Sequence, residues 1–159
     1  MPISQLSGPL ETTSRTLDST LENLDLVEKV VLEFAQRAGF IGTDLKKIGL
    51  AVREVVANAI IHGNRLDSQK KFVVTMVRTA NQLRIAVWDQ GDGFDVDRLP
   101  DPRSPEVLLR ESGRGTYLAR AFMDEFHVRT EPAGGTTVSL IKAIRKSRTQ
   151  RKQALGSSS

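Results

Sequence analysis

Glu54, Asn58 and His62 stand four residues apart in the stretch EVVANAIIHGN, residues 54–64. Each helical step of four turns a side chain by only about 40°, so the three share one stripe of a helix. A carboxylate one turn from a carboxamide suits nucleotide chemistry. The Asn oxygen is a neutral ligand for a hard cation such as Mg²⁺, which prefers oxygen. The Glu carboxylate can take a proton from an attacking hydroxyl, or orient it. A solvated helix face would show the same spacing.

Residues 88–95, WDQGDGFD, follow a stretch that reads as a strand. Asp89 closes it, and a buried Asp at a strand end can accept a hydrogen bond from an exocyclic amine such as that of adenine. Gly91 and Gly93 let the backbone turn tightly and approach a ligand. A calcium loop fails here, because the spaced acidic ligands and the closing Glu are missing. A plain turn remains open. Residues 112–120, SGRGTYLAR, run from Gly113 and Gly115 straight into a helix. Free backbone N–H groups at a helix start bind anions, and Arg114 could reach phosphate oxygens. No Lys-Ser/Thr follows the glycines, so this is not a Walker A loop. A simple glycine-rich helix entry is the alternative.

These residues need elements to position them. Residues 11–17 read as a weak first strand. Residues 21–38 read as a helix, with Leu24, Val27, Val30, Val31 and Phe34 at steps of three and four and Gly39 as the stop. A second helix opens at Thr43-Asp44 with Thr43 as N-cap. It buries Leu45, Ile48, Val52, Val55, Val56, Ala59 and Ile60 and ends at Gly63. The period then changes to two, and residues 72–77 and 83–88 read as a hairpin. Residues 91–112 are too long for a plain connector and read as a lid. A third helix over 116–126 and strands over 126–130 and 136–144 complete the order. Helices on one side of a largely antiparallel sheet give an α+β two-layer sandwich.

Taken together and in order, the three segments resemble the N, G1 and G2 boxes of the GHKL ATPase superfamily (the Bergerat, histidine-kinase-like fold). The closest resemblance is to the anti-sigma factor serine/threonine kinases, and it covers about residues 11–143. It implies that Glu54 is the general base and Asn58 the Mg²⁺ ligand. Asp89 would read the adenine amino group, with Gly91 and Gly93 beneath the nucleotide. Gly113 and Gly115 would support the phosphates, and Thr136 would lie near the adenine. Arg103, Arg110 and Arg114 are all candidates for a lid contact to the γ-phosphate. His62 falls where related kinases often carry histidine. The resemblance further implies ATP and Mg²⁺ as cofactors, and a sigma factor and a STAS-type anti-anti-sigma antagonist as partners. It also implies a homodimer paired through the sheet.

Composition agrees with a single domain. The 159 residues include no Cys and only two His, His62 and His127, so disulfides, thiolate sites and multi-histidine centres are excluded. Residues 1–40 hold no His, against a sensor kinase with its own phospho-accepting hairpin. No apolar run nears the length that spans a bilayer, and the first residues lack a secretory pattern, so a cytoplasmic protein is expected. Residues 142–152 carry six basic side chains; without them the net charge of +4 becomes −2. The domain is expected over 11–144, between a flexible 1–10 and a basic, disordered tail over 145–159. Direct nucleic-acid binding is not expected of such a charge distribution.

Overall fold

Alternation along the apolar stretches decides which face of the sheet is buried. Phe72, Val74 and Met76 lie on one face of their strand, and Leu83, Ile85 and Val87 on the same face of the next; all six are buried. A computed structural model describes residues 8–91 and 119–145. Its elements are β1 (Glu11–Asp18), α1 (Asn23–Arg37), α2 (Gly42–Asn58), a π-helical turn (Ala59–Gly63), β2 (Lys71–Arg78), β3 (Gln82–Asp89), β4 (Glu125–Thr130) and β5 (Thr136–Ala143). Residues 119–122 are also helical.

The strands form one antiparallel sheet in the order β1-β2-β3-β5-β4. Register stacks the buried side chains in rows: Met76 faces Ile85 and Ile85 faces Leu140, while Val74 faces Val87 and Val87 faces Val138. On these rows lie Leu24, Val27, Val31 and Phe34 of α1 and Ile48, Val52, Val55 and Val56 of α2, in one continuous core. The fold is the α+β sandwich expected from the sequence.

Four local expectations need correction or sharpening. Thr43 does not cap α2. The helix begins two residues earlier than that cap implies, entered through Gly42 at φ 59° with Ile41 at the N-cap position and no side-chain cap. Second, the helix expected to run to Gly63 is α-helical only to Asn58 and then widens into the π-turn, so the α spacing that put His62 on the stripe ends there. Third, the helix expected over 116–126 stops at 122. The Lys142 ammonium donates to the Phe122 carbonyl at 2.9 Å, and Asp124 accepts the Ala143 N–H at 2.6 Å, so β5 draws the chain into β4. Phe126 therefore sits in β4.

The fourth concerns β1, weak by pattern yet fully formed. It pairs with β2 over eight residues. Polar contacts replace apolar alternation: Glu11 binds Arg37 at 2.9 Å and Arg78 at 3.5 Å, Ser14 meets Thr75 at 3.1 Å, and Lys71 pairs with Asp18. Charged and hydroxyl side chains suit an edge strand, which must be kept from pairing indiscriminately. The lid over 91–112 beyond Gly91, the start of the third helix, and the tail beyond 145 lie outside the described residues, as do residues 1–7.

Candidate functional site

The site is built where α2, β3 and β5 end close together. Asp89 is the last residue of β3 and Thr136 the first of β5, and the two are paired in register. Both are buried. A carboxylate is an expensive group to bury, and here desolvation raises the Asp89 pKa above its ordinary value. The Gly91 N–H opposes that rise, donating to Asp89 Oδ1 at 2.8 Å. Thr136 Oγ1 donates in turn to the Gly91 carbonyl at 3.4 Å.

Three glycines let the chain pack closely around Asp89. A Cβ on Gly63 would lie 2.5 Å from the Asp89 carboxyl carbon. One on Gly91 would lie 2.4 Å from the Gly63 carbonyl oxygen. One on Gly135, at φ 91°, would lie 2.2 Å from the Asp89 carbonyl oxygen and 2.4 Å from Trp88 Nε1. No side chain fits at any of the three. The indole N–H of Trp88 fixes the β4–β5 turn by donating to the Gly134 carbonyl at 3.2 Å.

Asn64 ties the π-turn to the sheet. It is wholly buried. Its amide nitrogen donates to Ser19 Oγ at 2.7 Å and to the Lys71 carbonyl at 2.9 Å. Its amide oxygen accepts the Gln90 N–H at 2.8 Å. One side chain therefore joins the β1 exit, the start of β2 and the residue after Asp89.

Glu54 and Asn58 lie on the last turns of α2, half-buried, and the π-turn carries the chain from them to Gly63 against Asp89. His62 is exposed. Of the residues expected at the site, Asp89, Gly91 and Thr136 are in mutual contact, and Glu54 and Asn58 sit on the helix that leads into them. Gly93, Gly113, Arg114 and Gly115, with Arg103 and Arg110, lie outside the described residues. Gly63, Asn64 and Gly135 were not read from the sequence as part of the site. Gly63 reads from the sequence as the end of a helix. The available signal was a Gly-Asn pair directly after an apolar helix, where a close approach and a buried amide are both accommodated.

The chain matches the family model described as "Histidine kinase-like ATPase domain" over residues 17–142. The chain belongs to that family. Within this ATPase family it resembles the serine-protein kinase RsbW of Bacillus licheniformis, 33% identical over 134 residues that cover 80% of this chain and 82% of the relative. The anti-sigma F factor of Oceanobacillus iheyensis is 31% identical over 135 residues, covering 82% of this chain and 91% of the relative. Among solved structures, the RsbU and RsbW domains of Rv1364c from Mycobacterium tuberculosis superpose with a TM-score of 0.63 and 26% identity. That match covers 89% of this chain and 35% of the longer protein. The catalytic domain of the histidine kinase ThkA shares the fold, with a TM-score of 0.51 and 16% identity. Membership in this family makes the chain an ATP-binding domain, in the branch of the anti-sigma serine-protein kinases.

Proposed function

We propose that the chain is an ATP-dependent protein serine/threonine kinase and an anti-sigma factor. It phosphorylates a STAS-type anti-anti-sigma antagonist and, in the alternative partnership, sequesters a sigma factor. The observation that carries this reading is the buried Asp89 carboxylate, set against Gly63 and bonded by the Gly91 N–H, just past the helix that bears Glu54 and Asn58. A desolvated carboxylate with one backbone donor is a fitting acceptor for the amino group of adenine, since a second donor stabilises its charged form. That chemistry fits ATP better than a purely electrostatic phosphate site would.

The remaining roles follow the same layout. Thr136 lies beside the adenine, and Gly91 and Gly93 beneath the nucleotide. Gly113, Arg114 and Gly115 hold the phosphates. Asn58 is the protein ligand of Mg²⁺, whose charge, when bound, neutralises the phosphate oxygens. Glu54 takes the proton of the attacking serine or threonine hydroxyl as its oxygen bonds to the γ-phosphorus and the bridge to ADP breaks. The working unit is a homodimer of domains spanning residues 11–144. It acts in the cytoplasm, in keeping with the finding that no helix among the described residues is long and apolar enough to cross a membrane.

The test is incubation with γ-labelled ATP, Mg²⁺ and purified STAS proteins from the same cell, followed by phosphosite mapping. A phosphoserine or phosphothreonine on one of them supports the kinase. ATP binding and sigma-factor capture without any phosphoprotein would instead identify a non-catalytic sequestering module.

A further inference from the structure

Asn64 stands where the β2–β3 ladder stops. The last pair on that side is Val73 with Trp88, and the same register carried on would set Lys71 opposite Gln90. The Asn64 carboxamide comes between them instead. Its nitrogen donates to the Lys71 carbonyl at 2.9 Å, and its oxygen accepts the Gln90 N–H at 2.8 Å. The Lys71 N–H turns to the side-chain oxygen of Gln90 at 2.8 Å. One side chain thus takes the place of the cross-strand hydrogen bonds, and the two strands part at the residue that follows Asp89.

The carboxamide is held there against strain. Asn64 is wholly buried, and a buried amide needs hydrogen bonds to offset its lost hydration. The chain reaches Asn64 through the π-turn and leaves it through Arg65 and Leu66, at φ 53° and 58°. Side chains disfavour that left-handed region. The Asn64 N–H donates to the Ala59 carbonyl and the Leu66 N–H to the Ile60 carbonyl, both at 2.8 Å. From the far side Ser19 Oγ accepts the Asn64 amide at 2.7 Å. Strain that the surroundings hold in place points toward function. What this strain holds is a carboxamide against Gln90.

Two paths lead from that carboxamide to Asp89. Gly63, the residue before Asn64, lies against the Asp89 carboxyl carbon. Gly91, the residue after Gln90, donates its N–H to Asp89 Oδ1 at 2.8 Å. Both neighbours of the carboxylate are therefore anchored at Asn64, one along the chain and one through Gln90.

We propose that Asn64 is a positioning residue for nucleotide selection. It keeps β2 and β3 apart beyond Trp88 and so aims the Asp89 carboxylate at the amino group of adenine. The inference rests on the reading of Asp89 given above. Asn64 acts through Gly63 and Gln90 and touches no nucleotide itself.

The experiment is equilibrium titration of the full chain with ATP and with purine riboside triphosphate, which lacks only the 6-amino group. Wild type is expected to bind ATP about 10- to 100-fold more tightly than the analogue, the worth of one hydrogen bond to a charged acceptor. Asn64→Ala is expected to bring that ratio within about threefold by weakening ATP while leaving the analogue nearly unchanged. Ser19→Ala is the milder variant, because Asn64 keeps its bonds to Lys71 and Gln90. It is expected to lower the ratio about two- to threefold, and it decides the question alone if Asn64→Ala does not fold. Loss of both nucleotides alike, with the wild-type ratio kept, would mark a merely structural role and overturn the proposal. A wild type that binds the two equally would overturn the reading of Asp89, and the role of Asn64 with it.

Discussion

Gly63 and Asp89 are in direct contact: a Cβ on Gly63 would sit 2.5 Å from the Asp89 carboxyl carbon. The end of the helix that carries Glu54 and Asn58 is thereby set against the carboxylate proposed to read the adenine. Gly63→Ala is expected to cost about 1–3 kcal/mol of stability by overpacking and to weaken ATP binding, because the carboxylate must move. Gly91→Ala is expected to cost more, since its Cβ would meet the Gly63 backbone, which cannot rotate aside. Urea denaturation and ATP titration of both variants check the order.

Asp89 itself gives a prediction whose sign depends on pH. Burial raises its pKa above 3.8, so the folded state holds the proton more tightly than the unfolded chain does. The cost of ionising it is absent below about pH 3.8, grows as pH rises through the raised folded value, and is fully present above that. Asp89→Asn abolishes this fall in stability. The variant is expected to melt at or above the wild-type temperature at neutral pH. Its carboxamide oxygen keeps the Gly91 N–H, and its NH₂ then opposes the adenine amine, so ATP affinity drops about 10- to 100-fold. Melting curves from pH 3 to 8 and ATP titration separate the two effects.

Asn64→Ala removes three hydrogen bonds from a fully buried position. It strands the Gln90 N–H, the Lys71 carbonyl and the Ser19 hydroxyl together. The expected loss is about 2–4 kcal/mol, since buried polar groups left unpaired carry their full desolvation cost. Hydrogen exchange at the Gln90 amide should accelerate in step with the loss. An unchanged exchange rate would mean that the clamp is dispensable.

Asp89, Gly91 and the stripe from Glu54 to Asn58 stand out in the sequence because residue types suited to nucleotide chemistry fall there on short, contiguous stretches. The two helices and the β2–β3 hairpin were legible because a buried face imposes its period. Other features depend on contacts between distant parts of the chain. β1 forms by laddering onto a strand some 60 residues away, with Glu11 reaching Arg37 and Arg78, and nothing in residues 11–17 alone encodes that. Asn64 became a clamp through Ser19, Lys71 and Gln90, none of them its helical neighbours. Thr43 has the right side chain for a cap, but the glycine before it let the helix start early. The π-turn likewise follows from tertiary demands, with Gly63 drawn against Asp89.

The proposal that Glu54 activates the acceptor hydroxyl is the central claim, and one comparison tests it. Glu54→Gln and wild type are measured in single-turnover phosphotransfer to the STAS acceptor, with ATP affinity determined on the same samples. The account predicts that transfer falls about 10²- to 10⁴-fold, the usual contribution of a positioned base, while the ATP Kd stays within about twofold. A Glu54→Gln chain that transfers phosphate at the wild-type rate would contradict it.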